Sequence, residues 1–259
     1  AWSACTASRR GEAAPRSTRR GRFAASPILM RVHVTDYVAG ARTARGIAVV
    51  IDVFRAFSLA AHATARGAQR IIPIADVDAA RALKREHPEW LLVGERHARR
   101  LPGFDCGNSP TELESIDVAG RTLIHTTHAG TQGLTHATAA SQVLTGALVN
   151  AGALARYLRA SGAEEVTLVR MGHQARERCD EDDLCAQLLL ARLSDEPFDT
   201  DTIRERLRTA DSAKKFFDPA CDWAPERDFE LCTQVDRFDF VLELDRRGVW
   251  PSLRRIDVP

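Results

Sequence analysis

Short apolar runs of β type alternate with helical stretches along most of this chain, and that alternation limits the fold more than any other feature. Runs with strand character cover residues 31–35, 47–53, 70–74, 91–94, 122–126, 142–145 and 166–171, with a last one at 240–244. Helical patterns fill the intervals at 56–66, 77–86, 130–140, 151–160 and 181–193, and recur at 201–209 and 212–217. This order predicts a three-layer α/β/α architecture with a largely parallel or mixed sheet, in which two lobes can share one site. Gly67, Gly120 and Gly162 stand where a helix or turn should stop before a strand, and Pro88 marks the exit from 77–86. The segment 98–113 carries Pro102, Gly103, Gly107 and Pro110 and is expected to be irregular. So long a connection inside a domain is usually functional.

The net charge of +1 averages two unlike parts. Residues 1–30 hold six Arg and one Glu, about +5, so the remainder carries about −4. A mildly acidic body argues against nucleic acid as a partner. No stretch approaches the roughly 20 apolar residues that a membrane helix needs. Residues 1–29 are rich in Ala, Arg and Ser without hydrophobic periodicity. They read as a disordered or non-native N-terminal extension ahead of Met30, and residues 30–259 as the α/β domain. The six cysteines, Cys5, Cys106, Cys179, Cys185, Cys221 and Cys232, form no CxxC pair and no zinc spacing. Reduced thiols in a cytoplasmic protein are the expected reading.

Charged and small polar residues cluster where the strand-like runs end, which is where open α/β sheets bind ligands. Asp52 closes an apolar strand, with Arg55 three residues on. This pair is either a structural ion pair or a carboxylate for metal or catalysis beside an anion-gripping fork. Gly94-Glu95-Arg96 repeats the arrangement, with Glu95 as metal ligand or general base and Arg96 as an anion contact. Asp105 and Asn108, in the 98–113 loop, can reach the same crevice, and Cys106 there is a weaker candidate nucleophile. The stretch Thr126-Thr127-His128-Ala129-Gly130-Thr131 follows a strand and opens a helix. It is either an anion cradle or a simple helix cap, and it is neither a P-loop nor a dinucleotide fingerprint. The acids Asp180-Glu181-Asp182-Asp183 suit the first turn of a helix, with Asp180 as cap, and equally suit Mg²⁺ through Glu181 or Asp182. Leu184 and the apolar positions after it can face a core or a second copy of the chain, so a homo-oligomer stays open.

In order along the chain, Asp52-Val53-Phe54-Arg55-Ala56-Phe57-Ser58, Gly94-Glu95-Arg96, Gly103-Phe104-Asp105-Cys106-Gly107-Asn108-Ser109-Pro110, Thr126-Thr127, Gly130-Thr131, Asn150-Ala151 and Glu181-Asp182 resemble the 2-phosphosulfolactate phosphatases of coenzyme M biosynthesis. The resemblance is clearest over residues 45–195. It implies an α/β fold and Mg²⁺-dependent hydrolysis of 2-phospho-3-sulfolactate, or a related small anionic phosphate ester, to the alcohol and phosphate. Taken with the residue types above, the expected catalytic residues are Asp52, Glu95 and Arg55, and the expected metal set is Asp52, Glu95, Asp182 and Glu181. Arg96, Asn108, Thr126, Gly130, Thr131 and Asn150 would bind substrate. Departures fall on the same segments: His128-Ala129-Gly130-Thr131 stands where many members carry Thr-Asn-Gly-Thr, Gln187 replaces an expected Gly, and Phe54 and Phe57 are bulkier than the usual Leu and Thr. These departures bear on the substrate more than on the reaction. Attack by water with Glu95 or Asp52 as base, and a covalent intermediate on Asp52, are both open. A non-catalytic anion-binding or sensor protein that keeps the fold is the alternative.

Overall fold

All five residues of the run Ile47–Ile51 are buried, so this strand must be covered on both faces. Its alternation divides the work. Ala48 and Val50 join one apolar cluster, while Ile47, Val49 and Ile51 join another on the opposite side. Each such Ile or Val contributes about 1.5–3 kcal/mol on burial. The structure is a computed structural model that describes residues 30–259. The expectation of a disordered extension at 1–29 lies outside the described residues.

In chain order the elements are β1 (Arg31–Asp36), α1 (Tyr37–Thr43), β2 (Ile47–Ile51), α2 (Ala56–Ala65), β3 (Arg70–Pro73), α3 (Val77–Glu86), β4 (Leu91–Arg96), β5 (Arg99–Arg100), α4 (Pro110–Glu114), β6 (Thr122–Thr126), α5 (Gly130–His136) and β7 (Gln142–Gly146). A short 3-10 turn, Leu148–Asn150, leads into α6 (Ala151–Ser161), β8 (Glu165–Arg170), α7 (Asp180–Leu193) and α8 (Ile203–Arg208). The 3-10 helix Asp211–Phe216, α9 (Glu226–Cys232), β9 (Phe240–Asp245) and β10 (Ser252–Asp257) complete the chain. The strands form one sheet in the order β1-β8-β2-β7-β9-β10-β3-β6-β4-β5. The mixed, mainly parallel α/β architecture agrees with the expectation from sequence.

The sheet has two parallel halves. One is β1-β8-β2-β7 and the other is β3-β6-β4. The antiparallel ribbon β9–β10 joins them, and each joint is narrow: β7 meets β9 at Leu144 and Glu243, and β10 meets β3 at Leu253 and Ile71. Both halves share a single core. Residues from both halves (Val50 and Val169; Val93 and Leu123) enter one cluster with Phe57 of α2 and Leu134 of α5. The outer face of the first half packs on α6 and α7, and that of the second on α3. The carboxyl ends of β2, β8, β6 and β4 border a common space.

Some local predictions fail for identifiable reasons. The helix expected over 130–140 ends at His136, and Ala137 takes a non-helical ψ of 58°. The loop 98–113 holds β5 and the start of α4, because Pro110 occupies the first helical turn, where its missing N–H costs nothing, and Ser109 caps the helix by accepting from the Glu112 N–H. Helices α1 and α9 and strand β10 have too few periodic positions to stand out in the sequence. Gly94, at φ 154°, is required by the close approach of β4 and β6: a Cβ there would lie 2.0 Å from the Thr126 carbonyl oxygen. Glu95 follows directly, so the tight joint fixes where that carboxylate emerges. Among the described residues no helix is long and apolar enough to cross a membrane.

Candidate functional site

A cavity of about 690 Å³ opens where these strand ends converge. Asp52 and Glu95 both line it although their strands lie in different halves of the sheet. The β8–α7 connection supplies Gly172 and His173, and α7 supplies Glu181 and Asp182. Arg55, Asn108 and His128 add to the wall, and the 3-10 helix contributes Ser212 and Lys215.

The acids are held firmly. Asp182 Oδ1 accepts the Val53 N–H at 2.9 Å and Oδ2 accepts the Gly172 N–H at 2.8 Å, so one carboxylate ties together the ends of β2 and β8. Glu95 Oε1 accepts the His128 N–H and Oε2 the Ala98 N–H, both at 2.7 Å. Glu181 accepts the Ser212 hydroxyl. Asp52 Oδ1 receives the Ala56 N–H at 3.3 Å, and the Gly130 N–H also donates to this carboxylate. Gly130 is needed there, since a Cβ would stand 2.8 Å from Asp52 Oδ2.

Burial pushes the Asp52 carboxyl up to about 7; its backbone donors oppose the shift, and Glu95 and Glu181 add to it. Asp182 is pushed well above the usual carboxylate range by burial, with the Asp52 and Glu181 charges adding to it. Two buried acids whose charges oppose each other favour either a bound proton or a bound cation. Cys179 lies close by, with its Sγ and carboxylate oxygens of Glu181 and Asp182 all within 4.8 Å of one another. Its thiol is pushed well up by burial and by those acids, so it is protonated near neutrality.

The expected arginines behave differently. Asp52 and Arg55 do not pair. Arg55 is buried and turns to Asp228, with Nη1 to Oδ2 at 2.6 Å; Nη1 also donates to the Trp223 carbonyl and Nη2 to that of Ala98. Its position lends the cavity positive charge, but most of its donors are spent. Arg96 leaves the cavity altogether and donates to the carbonyls of Glu95 and Ala75 and to Thr126 Oγ1. Thr126, fully buried, serves as that acceptor and stands off the cavity wall. Thr131 Oγ donates to the Thr127 carbonyl at 2.9 Å and accepts the Thr127 N–H, which makes it a local clasp at the start of α5. Asn150 is buried against β9, with Nδ2 donating to the Phe240 carbonyl at 3.4 Å. The structure therefore brings Asp52, Glu95, Glu181, Asp182, Arg55 and Asn108 to one cavity. It places Arg96, Thr126, Thr131 and Asn150 elsewhere, and Gly130 behind Asp52.

Asn108 Oδ1 lies 3.2 Å from His125 Nε2, and burial pushes that imidazole down to about 4, so it is the neutral ring that meets the amide. Asp105 turns away to Lys84 and the Leu92 N–H. Cys106 is buried, and its thiol is pushed up to about 12, which leaves it a poor nucleophile. Asp183 is spent on Arg170 and Arg178. Asp180 is the first residue of α7 and Cys179 its cap position, in place of the expected Asp180 cap. Among the residues that escaped the sequence reading are Lys215 and Ser212 on the cavity wall, and Asp228 behind Arg55. None follows a strand, and the pattern at 212–217 signalled only a helix.

Fold and site together define an α/β protein with a carboxylate-walled cavity built by two half-sheets. The chain belongs to the 2-phosphosulpholactate phosphatase family, whose model matches residues 32–247. Relatives bearing the name probable 2-phosphosulfolactate phosphatase include one from Bacillus subtilis, 28% identical over 81% of this chain and 92% of the relative. One from Clostridium perfringens strain 13 is 30% identical over 80% of this chain and 90% of the relative. One from Caldanaerobacter subterraneus subsp. tengcongensis is 39% identical over 46% of this chain and 50% of the relative. Against several such relatives the matched stretch spans about half to two thirds of their length.

Proposed function

We propose that this protein is a phosphoric monoester hydrolase that converts a small anionic phosphate ester, 2-phospho-3-sulfolactate or a close analogue, to the alcohol and phosphate with the help of Mg²⁺. The observation that carries the reading is the convergence of Asp52, Glu95, Glu181 and Asp182, all buried, on one cavity. Oxygen donors of this kind suit a hard divalent cation, and such an ion would offset the burial, and the neighbouring acids, that raise Asp52 and Asp182. Asp52 and Asp182, with Glu181 beside them, are the residues that would hold it. When bound, Mg²⁺ neutralises phosphate charge and orients the ester for displacement.

The protein's own contribution is to position and to accept a proton. Glu95, closed by two backbone donors in a fixed orientation, is the carboxylate left to take a proton from the attacking water. Arg55, locked by Asp228, offers fixed positive charge toward the ester oxygens. Asn108 adds a side-chain amide at the wall. The test is phosphate release from a panel of phosphate esters with Mg²⁺ and with chelator. Release that requires Mg²⁺ and favours 2-phospho-3-sulfolactate is expected. A protein that binds sulfolactate yet releases no phosphate from any ester would be an anion sensor instead.

A pH dependence of stability follows. The ordinary Asp value is 3.8, and in the fold Asp52 rises to about 7. Between these values the folded protein holds a proton that the unfolded chain has released, so stability falls as pH rises through that window. Metal-free protein should therefore melt lower at pH 8 than at pH 5. Mg²⁺ should raise the melting temperature more at pH 8, where it competes with fewer protons. Calorimetry at the two pH values checks this, and an equal Mg²⁺ effect at both would remove Asp52 from the metal set.

A further inference from the structure

The cations on the cavity wall differ in what their donors already touch. Arg55 is committed to Asp228 and to two carbonyls. Arg178, exposed, is held in a two-pronged pair with Asp183. Lys215 is the exception. Among the described residues no carboxylate or carbonyl lies within hydrogen-bonding distance of its ammonium. Its nitrogen instead sits 5.1 Å from the ring centre of Phe216 and 5.9 Å from that of Phe54.

That position is built, not incidental. Phe54 meets Phe216 edge-on at 5.0 Å, Phe217 meets Phe229 at 5.1 Å, and Ser212 is tied to Glu181. These contacts fasten the 3-10 helix over the cavity, and the aromatic pair fixes the direction of the lysine stem. Desolvation lowers the ammonium pKa, opposed first by Glu181. A half-buried ammonium with three free donors is costly alone and is repaid by an anion. Lys215 also enters the cavity from a different part of the chain, the segment between α7 and β9, than the strand ends that carry Asp52 and Glu95.

We propose that Lys215 is a specificity-determining residue that grips a second acid group of the substrate, a sulfonate or carboxylate, while the phosphate lies at the carboxylate end of the cavity. This rests on the phosphatase reading. In substrates without a second acid group Lys215 has nothing to hold, so it contributes selectivity and leaves the reaction itself untouched.

Steady-state kinetics of wild type, Lys215→Met and Lys215→Arg on two esters provide the test. Methionine keeps the stem over the rings and removes the charge. For 2-phospho-3-sulfolactate, Lys215→Met should raise KM by about 100-fold with kcat changed less than about 3-fold, as for a lost charge-assisted contact. For 4-nitrophenyl phosphate, which has no second acid group, KM should change less than about 3-fold, and Lys215→Arg should recover most of the lost sulfolactate selectivity. Equal rises in KM for both esters, or no rise for either, overturn the proposal while leaving the phosphatase reading intact. Calorimetric titration with 3-sulfolactate separates the two. If wild type releases phosphate from neither ester, the phosphatase reading falls. Lys215 then stands if wild type binds sulfolactate and Lys215→Met does not, and falls if the two bind alike or wild type fails to bind.

Discussion

Replacing Asp52 with Asn should abolish Mg²⁺-dependent phosphate release, with a loss of at least about 10³-fold, and leave the protein folded. The amide keeps the shape of the carboxyl, and its oxygen can still accept the Ala56 N–H. It lacks the charge that a divalent cation needs. The same change removes the group whose proton is held up to about pH 7, so the decline of metal-free stability with rising pH should flatten in the variant. Activity and the pH profile of melting are separate measurements, and both should move together. Wild-type turnover in Asp52→Asn would take this residue out of the reaction entirely.

The largest effect on stability should come from Asp228→Ala. Asp228 is fully buried and serves three donors: Arg55 Nη1 at 2.6 Å, Ser109 Oγ at 2.8 Å and the Thr111 N–H at 2.9 Å. Removing it strands the buried Arg55 charge and two neutral donors. Breaking a buried pair in this way costs about 3–5 kcal/mol, which for a domain of this size lowers the melting temperature on the order of 10 °C. The carboxylate also joins three separate pieces of chain: the start of α2, the loop leading into α4, and α9. Activity should therefore fall with stability even though Asp228 does not line the cavity. A shift of only one or two degrees would show that the Arg55 charge is well solvated without its partner.

The strand ends were legible because burial on both faces forces near-continuous apolar runs, and a charge that interrupts such a run stands out. Asp52 and Glu95 emerged that way, the Glu181-Asp182 pair as an acidic cluster opening a helix, and the structure brings all of them to one cavity. What sequence could not separate was direction. Arg55 and Arg96 each follow an acid, yet one swings to an aspartate 173 residues away and the other to local carbonyls. Pairing of that range leaves no periodic trace. Thr126 and Thr131 looked like an anion cradle because hydroxyls near a helix start serve ligands and backbone equally well, and here the backbone and Arg96 take them. Lys215 escaped for the opposite reason: it sits in a 3-10 segment with no strand before it, and only the ring contacts made by Phe54 and Phe216 give it a direction.

The narrow ribbon between the half-sheets has a bearing on biogenesis. Asp52 and Glu95 are made early in synthesis, yet the spacing between them depends on β9 and β10, which emerge from the ribosome after residue 240. Until that hairpin docks at Leu144 and Ile71, the sheet is not continuous between its halves. A nascent or clipped molecule then owns Asp52, Glu95, Glu181 and Asp182 but lacks the strands that join the half-sheets behind them. Turnover would accordingly report completion of the last tertiary contact, and partly assembled chains would be chemically silent toward phosphate esters around them.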